Sequence, residues 1–192
     1  MNDRTPAPPC GLSRARLRGR TRAVLSFGGR GNPDVLLVDG DAGPVVVKDF
    51  APRGRFVRRW LGPRLLAREV RAYRRLADLG AVPRLLGWLD DAAIVLEYRP
   101  GELLSRSLAG RLQPGFVDRL EAVIVEMHRR GIVHLDLRHR SNVLADGRGE
   151  PVVLDFASAI GFDATRALGR LGVRILGGFD RRALAKWRTR LG

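Results

Sequence analysis

Three short runs of β-type residues stand near the start of the chain, at 23–27, 35–39 and 45–50, separated by little more than GGRGN and GDAGP. Parallel strands need a crossover of a dozen or more residues, whereas Gly-rich turns of this length close antiparallel pairs. The region therefore predicts an antiparallel meander. The segment GPRLLAREVRAYRRLADLG follows, with Leu66, Val70, Tyr73 and Leu76 at helical spacing, Pro63 suited to a first helical position and Gly80 to a C-terminal cap. Two further strand-like runs, around 84–89 and 93–98, lead to the turn RPGE, which reads as a boundary between two lobes. Residues 116–130 predict a second helix with Phe116, Leu120, Val123, Ile124 and Met127 on one face and Gly131 after its end. The chain then passes through HLDLRHRSN into two apolar strand-like runs, 142–145 and 151–156, on either side of the turn DGRG.

At 192 residues with 45% apolar positions, the chain can build one domain with a sizeable core. The net charge of +15 is uneven: residues 1–30 carry +6, residues 166–192 carry +7, and the stretch between them only +2. Residues 1–20, with Pro6, Pro8, Pro9 and a spaced Arg run, offer little to bury and read as a disordered basic arm. Residues 21–165 read as the folded domain and 166–192 as a basic C-terminal segment ending in a short helix from 180 to 191. On that last helix Leu184, Trp187 and Leu191 share a face, which suits either docking on the domain or lying on a membrane surface. Basic ends favour an anionic partner such as RNA, a membrane surface or a phosphorylated glycolipid. The lone Cys10 forms no internal disulfide, and no apolar run approaches the roughly 18 residues of a membrane span. The expected setting is the cytosol, with peripheral attachment to the inner membrane face as a variant.

Lys48 ends the run Val45-Val46-Val47 and is one of two lysines beside 33 arginines. Such a choice suggests a site that wants a compact ammonium in place of a guanidinium fork. Glu69 falls on or beside the apolar face of its helix, three residues after Leu66 and four before Tyr73, where a carboxylate is costly unless paired. Lys48 is its natural partner. Phosphoryl transfer from a nucleotide needs a cation on the phosphates, a metal held by hard oxygen ligands, and a carboxylate that orients the acceptor hydroxyl. Asp136 and Asp155 stand in an order that could supply the last two.

The succession of Gly-rich turn, VVVK, helix Glu, LEYRPGE, HLDLRHRSN and LDFA resembles the protein kinase superfamily over about residues 21–160. The resemblance implies a bilobal α+β fold: an N-lobe at 21–99 made of an antiparallel sheet plus one helix, and a small, mostly helical C-lobe at 100–165. It implies ATP as phosphate donor and Mg²⁺ as cofactor, with Mn²⁺ as the alternative ion. Gly28, Gly29 and Gly31 would cover the phosphates with backbone amides. Lys48, held by Glu69, would contact the α and β phosphates. The backbone from Glu97 to Arg99 would meet the adenine edge, with Leu96 as a wall. Asp136 would orient the acceptor, Arg138 would contact phosphate, and Asp155 and Asn142 would hold the metal. His134 would brace the loop, while His128 reads as a core residue at a helix end.

Three departures from the superfamily pattern point to its atypical bacterial and archaeal branch, which includes RIO-like protein kinases and the Kdo and heptose kinases of lipopolysaccharide cores. Leu135 stands where an Arg usually reads a phosphorylated activation loop. Asn142 lies six residues after Asp136, one more than usual, so the HRS segment is expected to bulge and keep the amide at the metal. After Asp155 there is no APE-like segment and little room for a peptide-substrate platform. The leading expectation is transfer to protein Ser/Thr, followed by transfer to a lipopolysaccharide sugar. A pseudokinase or basic nucleic-acid-binding module is the alternative of a different class.

Overall fold

The computed structural model describes residues 10–191. They form an α+β protein with four α-helices and a five-stranded antiparallel sheet, and they divide into two units. One holds the residues up to Val70 together with Arg84–Tyr98; the other holds Arg71–Pro83 and the residues from Arg99 on.

The sheet lies in the first unit. It consists of β1 (Thr21–Ser26), β2 (Asp34–Gly40), β3 (Gly43–Asp49), β4 (Leu85–Asp90) and β5 (Ala93–Glu97), in the order β1-β2-β3-β5-β4. β2 and β3 pair in continuous register from Asp34 opposite Asp49 to Gly40 opposite Gly43, as the short turn requires. Side chains alternate across a strand, so Leu36 and Val38, Val45 and Val47, and Ala93 and Val95 share one face. These residues form a cluster with Cys10, Leu12 and Leu17. The opposite face carries Lys48, whose strand neighbours are Val35 and Ile94. A π-helical turn, Val57–Leu61, runs into the helix α2 (Gly62–Arg75).

The basic arm expected over residues 1–20 differs from what its described part shows. Residues 1–9 lie outside the described residues, but residues 10–20 are ordered, and Arg14–Arg20 form the helix α1. Cys10, Leu12 and Leu17 are all buried and cover the sheet face. The Arg14 guanidinium donates to Asp49 Oδ2 at 2.5 Å and to Asp90 at 2.6 and 2.8 Å. Three apolar residues in a run of arginines are too few to register in composition, yet they suffice to close one face of a small sheet.

The second unit contains the end of α2, a three-stranded antiparallel sheet and two long helices. The strands are β6 (Gly101–Leu103), β8 (Val143–Asp146) and β9 (Pro151–Val153), in the order β6-β8-β9. Between them come α3 (Phe116–Arg129) and β7 (Ile132–Val133), which pairs with β10 (Ile160–Gly161). Phe116, Leu120, Ile124 and Met127 of α3 are buried, while Val123 is half-buried. The short helix expected from 180 is the second half of a 25-residue helix, α4 (Ala167–Leu191). Gly177 and Gly178 each weaken a helix interior by about 1 kcal/mol relative to Ala, yet the helix runs through them, and Gly177 is buried against α3, where a Cβ would come within 2.8 Å of the His128 ring. Leu184 and Trp187 are buried, so this face docks. No described helix is long and apolar enough to cross a membrane.

The role of the segment 10–20 as a cover for the sheet can be tested directly. Leu17→Ala should cost about 2–4 kcal/mol by loss of buried volume. Removing residues 1–20 should lower the urea midpoint further. An unchanged midpoint for both would show that the segment contributes nothing to the sheet.

Candidate functional site

In the first unit, Lys48 and Glu69 meet as expected from the residues. Lys48 Nζ lies 2.5 Å from Glu69 Oε1, and both side chains are almost wholly buried. Gly28 lies in the turn two residues after β1, and a Cβ there would fall 2.2 Å from the Asn32 carbonyl, so only glycine fits. Its amide donates to Asp34 Oδ1 at 2.8 Å. The turn thus uses Gly28 for its own closure, whereas a Cβ at Gly29 or Gly31 would meet nothing within 4 Å. The Glu97 amide donates to the Arg84 carbonyl and its carboxylate accepts from the Arg84 amide, at 2.9 and 3.0 Å. Leu96 is buried in β5.

In the second unit the loop after β7 brings Asp136 and Asn142 together. The extra residue between them is absorbed by two successive turns, His139 N to Asp136 O at 3.2 Å and Asn142 N to His139 O at 3.1 Å. Asn142 Nδ2 then donates to Asp136 Oδ2 at 2.9 Å and to the Asp136 carbonyl at 2.8 Å. Its Oδ1 accepts from Ser141 Oγ at 3.0 Å. Main-chain Leu154 N donates to Asn142 O at 2.8 Å, which places the loop beside the strand end that carries Asp155. Asp155 Oδ1 accepts from Ala157 N at 3.2 Å. Arg138 is exposed, and its carbonyl accepts from Lys186 Nζ at 2.7 Å. The Arg99 guanidinium reaches the Gly80 carbonyl at 3.0 Å and Asp146 at 3.5 Å.

Leu135 and Asp155 are the only non-glycine residues with positive φ among the described residues, at 70° and 58°. Left-handed backbone is costly for a branched residue such as Leu and persists only where the surroundings over-determine it. Both strained positions adjoin or carry a candidate carboxylate.

Asp180 of α4 supplies the restraint on the first. It has no exposed surface, and it accepts from Leu135 N through Oδ1 and from His134 N through Oδ2, both at 2.9 Å. His128 Nε2 donates to the same Oδ2 at 2.9 Å. His134 braces the loop from the other side. Its Nε2 donates to the Leu154 carbonyl at 2.9 Å, and its Nδ1 accepts from Asp136 N at 3.3 Å. That pairing fixes the neutral Nε2–H tautomer, and burial holds the imidazole pKa below its ordinary 6.5. Trp187 Nε1 adds a bond to the Leu137 carbonyl at 2.9 Å. Asp180, His128 and Trp187 were not among the site residues read from sequence. The signal was present: Asp180 is the sole acid of the last 27 residues and shares a helical face with Ala183, Leu184 and Trp187.

Among the described residues no group of three or more His, Cys, Asp or Glu side chains could hold a metal ion. Asp155 and Asn142, the residues read from sequence as metal ligands, could offer a carboxylate and an amide oxygen. Hard oxygen ligands of this kind, few in number, suit Mg²⁺ or Mn²⁺, which draw the rest of their shell from substrate phosphates and water. No protein-family model matches the chain, and no curated protein matches it.

Two measurements check the loop. Asp180→Ala leaves the buried His134 amide and the half-buried Leu135 amide without an acceptor, so stability should fall by about 3 kcal/mol, and hydrogen exchange at the Leu135 amide should rise. The second is a pH series. A depressed folded pKa means that the unfolded state binds more protons, so the contribution of neutral His134 is complete above about pH 6.5 and is lost as pH falls through its lower folded value. The urea midpoint of the wild-type protein should therefore drop on acidification more steeply than that of His134→Gln. Parallel slopes would reject the assignment.

Proposed function

We propose that the chain is an ATP-dependent phosphotransferase that moves the γ-phosphate of Mg-ATP to an acceptor hydroxyl, with protein Ser or Thr as the favoured acceptor. The observation that carries this reading is the loop in which Asn142 holds one oxygen of the exposed Asp136 carboxylate, with enforced positive φ at Leu135 before it and at Asp155. An exposed carboxylate steadied through Oδ2 is suited to accept a hydroxyl hydrogen through Oδ1. Asp155 and Asn142 are the residues that would hold Mg²⁺. That ion would neutralise charge on the phosphate oxygens. The buried Lys48–Glu69 pair supports the reading, because Glu69 fixes the direction of an ammonium suited to phosphate. With the Gly28 amide used within its turn, the amides proposed for phosphate are those of Gly29 and Gly31. The adenine edge is assigned to the backbone from Glu97 to Arg99. Arg138 contributes a further cation for phosphate. The sheet order β1-β2-β3-β5-β4 and the run of motifs are compatible with a bilobal kinase-like arrangement. The proposed setting is the cytosol.

The test is transfer of labelled γ-phosphate from ATP, with a cell lysate and purified lipopolysaccharide core presented side by side. Asp136→Asn should spare Mg-ATP binding and lower transfer by about 10²–10⁴. Asp155→Asn should weaken Mg-ATP binding itself. Equal loss of binding in both variants would overturn the division of roles. Salt-sensitive RNA binding without turnover would favour the nucleic-acid module instead.

A further inference from the structure

The first half of α4 leaves an apolar stripe uncovered. Leu168, Leu171, Ile175 and Phe179 are all exposed, Leu168 by 79% and Ile175 by 64%. At roughly 100° per residue they fall within about 80° of arc on the helix surface. The inward face is a different one, formed by Gly177, Asp180, Ala183, Leu184 and Trp187. Arg170, Arg174 and Arg181 line one flank of the stripe, and Arg182 follows Phe179 along it. All four are exposed, and their bonds within the chain go to carbonyls: Arg170 to Thr165 and Arg181 to Arg174, at 2.8 and 3.1 Å. The only acid on α4 is the buried Asp180, so the helix offers solvent apolar and cationic groups without a compensating carboxylate.

We infer that this face of α4 docks on an anionic lipid bilayer surface, lying in the interface with Leu168, Leu171, Ile175 and Phe179 turned to the acyl region and the arginines on headgroup phosphates. Charge decides among occupants. A second copy packed antiparallel would bring the flank arginines face to face, and in either direction Arg182, which lies on the stripe itself, would meet a like-charged surface, so the contact repels. RNA would satisfy the arginines but leave three aliphatic side chains with no base to stack on. An anionic bilayer satisfies both halves of the surface, because apolar burial and attraction to anionic lipid act together for a basic amphipathic helix. Leu184, Trp187 and Leu191, the face the sequence offered for this purpose, belong largely to the core instead. The inference is independent of phosphotransfer, since it concerns residues outside the proposed active site.

The experiment is co-sedimentation of the full chain with vesicles of phosphatidylcholine and phosphatidylglycerol, compared with vesicles of phosphatidylcholine alone. The wild-type protein should sediment with the anionic vesicles and remain in the supernatant with the neutral ones. Replacing Leu168, Leu171, Ile175 and Phe179 together by Ser should weaken binding by about tenfold or more. Arg170→Glu with Arg174→Glu should do the same, and Val125→Ser, at an isolated exposed apolar position on α3, should change nothing. Melting temperatures matched to wild type keep the comparison valid, and because all the altered side chains are exposed, each subset of the four Ser changes can be scored separately if the quadruple variant melts early. A wild-type protein that ignores anionic vesicles overturns the inference, as does undiminished binding by the stripe variant. Binding that survives the stripe changes but is lost on Phe56→Ser with Trp60→Ser would move the contact to the first unit and overturn the assignment to α4. Self-association abolished by the stripe changes, with vesicle binding intact, would assign the face to a second copy.

Discussion

The buried carboxylate of Asp180 holds the geometry on which the second unit depends. A carboxylate cut off from solvent is costly, and the cost is offset only by donors aimed at it. His128 supplies one from α3, and the amides of His134 and Leu135 supply the others from the loop. Those two bonds pin the peptide planes that lead into Leu135, whose backbone then turns through the left-handed region. The strain at Leu135 and the burial of Asp180 are thus two sides of one arrangement. Once the turn is made, Asp136 emerges at the surface, His134 closes on Leu154, and Asn142 finds Asp136.

The first unit is organised around a comparable exchange, made twice. Lys48 and Glu69 neutralise one another on one side of the sheet, while Arg14 answers Asp49 and Asp90 from the segment that covers the other. A buried ion pair is weak evidence for stability, because apolar residues of the same volume would often do as well. Its value at Lys48 lies in direction: a neighbouring carboxylate fixes where the side chain points. Arg14 serves a different end. It lets a strongly basic stretch lie against a sheet whose strand ends present two aspartates, and so joins the charge pattern of the chain to the packing of its core.

The elements with a strong period were legible in the sequence. The meander, α2 and α3 follow from alternation, short turns and helical spacing, and the pairing of Lys48 with Glu69 followed from asking what a carboxylate on an apolar face must meet. The insertion before Asn142 was visible as a count of residues, but the two turns that absorb it, and the bond from Asn142 to Asp136, come from the structure. Two features were hidden by composition. Residues 10–20 look solvated because arginines outnumber Cys10, Leu12 and Leu17, yet those three are the ones that count for burial. α4 looks broken because Gly177 and Gly178 weaken a helix locally, yet close approach to His128 needs a residue without a side chain. In both, a tertiary contact overrides a local preference. Asp180 could have been found by the reasoning that found Glu69, applied to a segment whose charge total drew the eye away from its single acid.

The distribution of charge takes on a different meaning once the positions are known. Part of the excess at the two ends is consumed within the protein, by Arg14 and Arg20 at one end and by Arg188 at the other, where Asp118 and Glu121 receive it at 2.8 and 2.9 Å. What remains unanswered on α4 is concentrated on the flank of its apolar stripe. The helix therefore has two faces under separate constraints. Its inward face is fixed by the need to present one carboxylate to His134 and Leu135, which tolerates little change in rotation or register. Its outward face has no such partner and is free to vary in chemistry as long as the helix persists. A rigid helix whose buried side positions the loop of Asp136 and whose open side meets another surface would carry the orientation of that surface to the loop without any moving part, because both faces share one backbone.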